Sequence, residues 1–245
     1  MSLQGLLQQV AACQPGLTGR VGTPGASQLV AGGSPAPLAD LLDYWRRAQP
    51  EAGPLYWASR SWTMLIWQPL YLLVWAAHRC RAVPRLASLA QCVQGGVVSG
   101  FVLEAHRPLA YALPEESLAA AGAEASLICR QLLADLSAQI RLHPKMAGRL
   151  QADCLLSALL AVARSQPDFA PERVRQWADA WLAATGLAEQ SGLCQFDLPD
   201  GGQGLGLARR VCCQHFRRAD GELCGSCPKL SAEQRTARLR EEWLC

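Results

Sequence analysis

Helical periodicity dominates the pattern of hydrophobic and polar positions along the chain. Apolar residues recur every three or four positions in several stretches, as they do on the buried face of an amphipathic helix. Pro114 and Pro171 begin two of these stretches, and Gly186 is placed to end one of them. The pattern predicts helices over residues 1–13, 38–47, 114–143, 147–164 and 171–186.

Two further helices are predicted from other signals. Residues 62–77 are almost entirely apolar, as in a buried helix, and Pro69 predicts a kink because proline lacks a backbone N–H. Ser231 and Gln234 have the spacing of a capping box, which marks the start of a last helix. We expect the aromatic rings between residues 56 and 75 to be mainly core, and the alternative is that some of them line a ligand cleft.

Two β-hairpins complete the predicted fold. Residues 86–94 and 97–104 flank Gly95-Gly96, which supplies the positive φ angles of a tight turn. Residues 193–198 and 205–211 are expected to pair across the turn at 199–202. The fold class is therefore mostly α with a small antiparallel β-sheet (α+β) and a cysteine-rich C-terminal appendage. Residues 14–37 are rich in Gly, Pro, Ser and Thr, which predicts an extended loop.

Composition excludes several classes of protein. Half of the 245 residues are apolar and 18% are charged, so the chain folds. A net charge of +3, with no basic stripe interleaved with aromatic residues, argues against nucleic-acid binding. The first nineteen residues lack Lys and Arg, so the positive start of a signal peptide is missing, and the longest apolar run is too short to span a membrane. We expect a soluble cytoplasmic protein.

Four of the eleven cysteines have the spacing C-C-x10-C-x2-C near the C-terminus. A Cys-x-x-Cys turn occurs in zinc, dithiol and iron–sulfur sites. The adjacent pair, however, departs from the two C-x-x-C-like turns of structural zinc sites, whereas four thiolates can bind the two irons of a [2Fe-2S] cluster. The cluster is favoured, and a zinc site in an interaction protein is the alternative. The four residues are Cys212, Cys213, Cys224 and Cys227.

The other seven cysteines are scattered through apolar surroundings. A free cysteine behaves as a small hydrophobic residue, so we predict that most of them pack in the core of a protein from a reducing compartment. They are Cys13, Cys80, Cys92, Cys129, Cys154, Cys194 and Cys245.

The motif around the four cysteines also resembles a known family. The pattern R-R-x-C-C-x10-C-G-x-C-P, which begins at Arg209, is similar to that of the FhuF-like siderophore-iron reductases and covers under a tenth of the chain. The resemblance implies a [2Fe-2S] cluster and one-electron reduction of ferric iron in a siderophore, of hydroxamate type. It implies no catalytic residue beyond the cluster, and an electron donor such as a ferredoxin, a flavodoxin or a reductase.

A second, shorter resemblance gives another alternative. Leu103-Glu104-Ala105-His106 is similar to a segment of the siderophore synthetases, which share a domain with this family. The synthetase pattern continues His-x-Gln-Asn, whereas Arg107 and Pro108 follow here, and no Gly-rich phosphate loop is present. A synthetase-related enzyme is therefore less favoured, and Arg107 is kept as a candidate for the ligand cleft.

Basic residues surround the four cysteines in the sequence. Cationic neighbours raise the reduction potential of a cluster, or they steer an acidic electron donor, or they are ordinary surface charges. His215 is a less favoured replacement ligand, because four cysteines already suffice. The basic residues are Arg209, Arg210, Arg217, Arg218 and Lys229.

These signals divide the chain into three parts. Residues 1–37 are predicted to be a poorly ordered lead-in with one short helix. Residues 38–204 form a mostly helical domain that docks the siderophore, and residues 205–245 form the cluster-binding segment.

Overall fold

The computed structural model describes residues 1–166, 170–199 and 201–244. Helices α1 to α7 span Leu3–Cys13, Ala36–Ala48, Gly53–Trp75, Pro114–Ser137, Pro144–Arg164, Pro171–Ala184 and Ala232–Leu244. Strands β1 to β8 span Gly19–Val21, Leu29–Val30, Ala82–Val83, Ala90–Gln94, Val97–Leu103, Leu109–Ala110, Leu193–Asp197 and Gln203–Leu207. The predicted class, mostly α with small β-sheets, is confirmed.

Helix α3 is the centre of the core. It packs against α2, α4 and α5, and it is buried around most of its circumference, as its nearly continuous apolar sequence requires. The ring of Trp62 is fully buried, and its Nε1 donates a hydrogen bond to the backbone oxygen of Ala147 (2.9 Å), so the polar atom is satisfied. The helix begins at Gly53, before the predicted start, and continues through Pro69 to Trp75.

The largest sheet has the strand order β1-β5-β4-β2. The predicted hairpin between β4 and β5 is confirmed, and both Gly95 and Gly96 have positive φ. The expectation of a loop over residues 14–37 is wrong in part, because β1 pairs with β5 in parallel and β2 pairs with β4. Strands β1 and β2 have only two or three residues, which is too short to show an alternating pattern in the sequence. Because β1 pairs in parallel, the sheet is mixed rather than purely antiparallel.

Local signals place several element ends correctly. Ser231 and Gln234 form the predicted capping box, with both hydrogen bonds at 3.1 Å. Gly186 has a φ of 67° after α6. The prediction that one helix extends to His143 is wrong, because α4 ends at Ser137 and the ring of His143 caps α5 by accepting from the Lys145 N–H (3.2 Å).

Helix α5 packs against α3 at the centre of the fold. It is the one helix in the described ranges that is long and apolar enough to cross a membrane, but 67% of its most apolar window is buried inside the fold. Such burial is typical of the core helix of a soluble protein.

Strands β7 and β8 form the predicted second hairpin. Asp200, in its turn, lies outside the described residues. Strand β8 ends at Leu207 rather than at residue 211, so Arg209 already belongs to the segment that follows. The hairpin packs on α5, and this contact places the cysteine segment next to the helical core.

The scattered cysteines take different positions. Cys129 is buried, whereas Cys13, Cys80, Cys92, Cys154 and Cys194 are half-buried. Cys245 lies outside the described residues. The division of the chain into three domains stays a prediction, although the buried leucines of α1 join its first residues to the core.

Gly122 marks a close approach of α4 to α6. A Cβ added there would lie 2.6 Å from the Cβ of Ala184 and 3.2 Å from its backbone oxygen. Alanine improves helix propensity by about 1 kcal/mol. Because backbone cannot move as a side chain does, we expect Gly122→Ala nevertheless to lower stability by about 1–3 kcal/mol. The measurement is the urea midpoint of unfolding.

Gly148→Ala in α5 is the matched control. Its new Cβ would meet only the flexible end of Leu187, at 3.4 Å. We expect this variant to be more stable than the wild type by up to about 1 kcal/mol. If both substitutions stabilised the protein equally, α4 and α6 would not be in such close contact.

Candidate functional site

The cysteine segment, residues 209–229, begins directly after the β7–β8 hairpin. The Ala208 N–H donates to the backbone oxygen of Gly192 (2.8 Å), which extends the hairpin by one residue pair. Arg149 of α5 then donates from Nη1 to the backbone oxygen of Arg210 (3.0 Å). The start of the segment is therefore fixed to the helical core before the first cysteine is reached.

A left-handed residue bends the chain after the adjacent cysteines. Gln214 has φ 63° and ψ 10°, a conformation that is uncommon for any residue other than glycine. Its N–H donates to the sulfur of Cys212 (3.4 Å), and the next N–H, that of His215, lies close enough to the Cys213 sulfur to lower the pKa of that thiol. The bend thus lets neighbouring cysteines, which point apart in an extended chain, serve one site.

The second half of the segment is a tight turn from Cys224 to Cys227. The Cys227 N–H donates to the backbone oxygen of Cys224 (2.9 Å). Gly225 in this turn does not have a positive φ, so the turn does not require glycine for its backbone. A side chain there would instead overlap the carboxylate of Glu242 from α7, and glycine leaves the space that Glu242 occupies.

The two halves bring the four sulfurs together. The sulfurs of Cys212 and Cys227 are 3.9 Å apart, and the thiols of Cys212 and Cys224 lie close enough to Cys213 to lower the pKa of its thiol. Cys212 and Cys227 are buried, whereas Cys213 and Cys224 are partly exposed. Among the described residues, no set of three or more His, Cys, Asp and Glu side chains is arranged for a single metal ion. Four contiguous thiol sulfurs fit the ligand shell of a [2Fe-2S] cluster.

The sulfurs are electrostatically unequal. The pKa of Cys213 is well below its usual range, mainly because its thiolate accepts from the Cys212 and Cys224 thiols, and also because Arg209 is nearby. The pKa values of Cys212 and Cys224 are raised, because each thiol donates to Cys213 and because burial disfavours the thiolate. Metal ligation needs thiolates, so loading a cluster releases protons from this site.

The four arginines predicted to surround the site have different positions. Arg209 is largely buried: its Nε donates to Asp153 of α5 (2.8 Å), and its Nη1 lies 3.6 Å from the sulfur of Cys224. The other three are arranged differently. Arg210 and Arg217 are exposed, and Arg218 pairs with exposed Asp220 (2.6 Å) and lies 3.3 Å from the His215 ring.

Several residues of the helical core that contact the segment were not predicted. The Ser59 hydroxyl lies 3.4 Å from the backbone oxygen of Cys213. Arg60 is partly buried near Cys213, its guanidinium 5.0 Å from the centre of the Trp45 ring, and burial lowers its pKa. Asp153 could have been noticed in the sequence, since it is the one carboxylate of α5 and lies among mostly apolar buried positions.

The remaining candidates divide between core, site and surface. Tyr56, Trp62 and Trp75 are fully buried in the core, and the ring of Tyr56 also lies 6.4 Å from that of His215 in the cysteine segment. Arg107 is exposed in the connection between β5 and β6. The ring of His106 is used within a turn, at 3.1 Å from the Arg85 N–H and 2.9 Å from the Glu104 oxygen.

An open groove of about 250 Å³ lies beside the cysteine turn. Its polar lining includes Ser226, which separates Cys224 from Cys227, and Arg164 of α5. The Arg164 guanidinium is 4.6 Å from the centre of the Trp243 ring. Other lining residues are Tyr71 of α3, Ser157 and Ala161 of α5, and Glu242 of α7.

Comparison with known families identifies the cysteine segment. Residues 209–229 match the family model described as the FhuF 2Fe-2S C-terminal domain, and all four cysteines lie within the match. The segment is a [2Fe-2S] domain, and the zinc alternative is set aside. The helical core lies outside the matched residues. Because such clusters carry single electrons, the site has a redox role.

Substitutions of Gln214 test the left-handed bend. Glycine adopts positive φ freely, whereas for other residues this conformation costs about 1–2 kcal/mol, and β-branched residues are worse. We expect Gln214→Gly to keep the visible absorbance of the cluster, and Gln214→Ile to lose it faster when a chelator is added. Both variants lack the side-chain amide that bonds the Cys212 oxygen, so they are matched. Equal retention in both variants would mean that the bend is not needed.

Proposed function

We propose that the protein is a ferric siderophore reductase of the cytoplasm, with a [2Fe-2S] cluster held by Cys212, Cys213, Cys224 and Cys227. The observation that carries the proposal is the match of residues 209–229 to the FhuF 2Fe-2S C-terminal domain, at a place where the chain brings its four cysteines close to one another. The substrate is Fe(III) bound by a siderophore, of hydroxamate type.

The chemistry needs one electron and no covalent step. Hard anionic oxygens hold Fe(III) strongly, and Fe(II) much more weakly. Held by the four cysteines, the cluster would supply one electron to the chelated Fe(III), which would leave the siderophore as Fe(II). A one-electron carrier of the ferredoxin or flavodoxin class would be the source of that electron. The protein therefore has only to place chelate and donor near the four cysteines.

The residues around the cysteines adjust the environment of the cluster. Hydrogen bonds to sulfur and nearby cations stabilise the added negative charge of the reduced state and raise its potential. The Gln214 and His215 N–H groups and the Arg209 guanidinium have these roles. Burial of Cys212 and Cys227 keeps water away from one side of the site.

We assign donor docking to the exposed cations of the segment. Arg210, Arg217 and Lys229 are all exposed and lie within twenty residues of one another in the chain. An acidic protein is steered to such a surface by long-range attraction, which salt screens. Steering of an acidic donor is one of the roles that the sequence suggested for the basic residues. We assign it to these three residues and not to Arg209.

The groove beside Ser226 is our candidate for chelate docking. Its lining includes Ser226, which lies between Cys224 and Cys227, so a ligand seated there lies next to the site. Its volume of about 250 Å³ accommodates one edge of a chelate rather than a whole siderophore. Tyr71, Ser157 and Arg164 offer hydrogen-bond donors to the oxygens of the chelate.

The function is tested by mixing the reduced protein with a ferric hydroxamate under anaerobic conditions. We expect the cluster to reoxidise and Fe(II) to appear in a ferrozine trap, at about one iron per electron. Cys212→Ser should lose the cluster and the activity, whereas Cys80→Ser should keep both, because the Cys80 thiol bonds to Gln9 of α1 and not to the segment. Protein that stays reduced with every class of ferric siderophore, while small oxidants reoxidise it, would refute the proposal.

The docking site is tested by filling the groove. Ala161→Phe adds a ring to its wall, so we expect a several-fold higher KM for the ferric chelate and an unchanged rate with ferricyanide, which needs no such pocket. Ala120→Phe is the matched control, because Ala120 is also a half-buried helical alanine but lies on α4, which does not line the groove. An unchanged KM in Ala161→Phe would place the chelate elsewhere.

A further inference from the structure

We infer that Asp153 is a positioning residue that holds the Arg209 guanidinium against Cys224 and thereby raises the reduction potential of the cluster. The inference rests on the cysteine ligands of the proposed function and not on the nature of the iron chelate. It concerns a residue of the helical core, 56 positions away from Arg209 in the sequence.

Asp153 is unusually placed for a carboxylate. It is 1% exposed on α5, and both of its oxygens are bonded: Oδ2 accepts from Arg209 Nε (2.8 Å), and Oδ1 accepts from the Ser191 hydroxyl (2.6 Å). Burying an ion pair costs desolvation energy that an apolar pair of equal volume would not cost, so the pair is weak evidence for stability. A better-supported use of such pairs is to fix one geometry.

The geometry that this pair fixes includes a cysteine sulfur. The guanidinium is planar, so bonding of Nε to Asp153 also determines where Nη1 points. In this structure Nη1 lies 3.6 Å from Cys224 Sγ. The Arg209 side chain is still 14% exposed, so it has a route to solvent if Asp153 no longer holds it. Ser191 restrains the carboxylate from the other side.

The direction in which the reduction potential shifts distinguishes a positioning role of Asp153 from a direct effect of its own charge. Reduction adds negative charge to the site, so a nearby cation raises the potential and a nearby anion lowers it. If Asp153 acted only through its charge, Asp153→Asn would remove an anion and raise the potential. If Asp153 positions Arg209, the same substitution releases the cation from Cys224 and lowers the potential.

The experiment is a redox titration of the cluster-loaded protein without chelate or donor. We expect Asp153→Asn to lower the midpoint potential, so that the oxidised-to-reduced ratio at the wild-type midpoint rises roughly two- to tenfold, as for loss of one hydrogen bond of ordinary net strength. Arg209→Gln should shift the ratio in the same direction. In the double variant, the effect of Asp153→Asn should vanish or change sign, because no cation remains to be positioned.

Two further variants keep the test decisive. Ser191→Ala removes one restraint on the carboxylate and keeps both charges, so we expect a smaller shift in the same direction even if Asp153→Asn folds poorly. Arg210→Gln removes an exposed arginine next in the chain and should leave the midpoint nearly unchanged, because solvent screens its charge.

The possible outcomes are distinct. A raised or unchanged midpoint in Asp153→Asn, or equal shifts in Arg209→Gln and Arg210→Gln, would overturn the positioning role. The expected shifts in a protein that fails to reduce any ferric siderophore would leave this inference standing and refute only the proposed reductase function.

Discussion

Concentrated negative charge on four neighbouring sulfurs is the constraint on which this part of the structure depends. When all four become thiolates, as metal ligation requires, they repel one another, and partial burial removes the water that would screen them. Fixed hydrogen-bond donors of the protein, rather than mobile solvent, compensate this charge. Two consecutive N–H groups at a left-handed bend face Cys212 and Cys213, and one guanidinium faces Cys224. The unusual backbone at Gln214 is therefore part of the electrostatic design.

The helical core is the frame that keeps these donors in place. Helix α3 contributes Ser59 and Arg60, and α5 contributes Arg149 and Asp153, to the surroundings of the cysteine segment. Since α3 and α5 pack directly against each other at the centre of the fold, the four contacts share one rigid base. The segment is a separate motif in the sequence, but residues of the helical core also surround and compensate its charge.

Sequence reasoning succeeds here wherever the signal is local. The capping box at Ser231, the glycine turn between β4 and β5, and the spacing of the four cysteines are each decided within a few residues, and they were predicted. Strands β1 and β2 were missed because two or three residues carry no period. Gln214 was missed because nothing in its neighbours requires positive φ. Asp153 was missed because its partner, Arg209, is distant in sequence, although the one carboxylate of α5, among mostly apolar buried positions, was a usable warning.

The arginines of the segment show why position matters more than composition. In sequence, Arg209 and Arg210 are equivalent neighbours of an anionic site. In the fold, Arg210 is exposed, so its field is screened within about 10 Å at ordinary salt and is useful mainly for steering partners. Arg209 is shielded from solvent, paired with Asp153 and in contact with a sulfur, so its charge acts on the site at short range. In the proposed function these two identical residues have separate roles: Arg210 attracts a partner from outside, and Arg209 stabilises charge within the site.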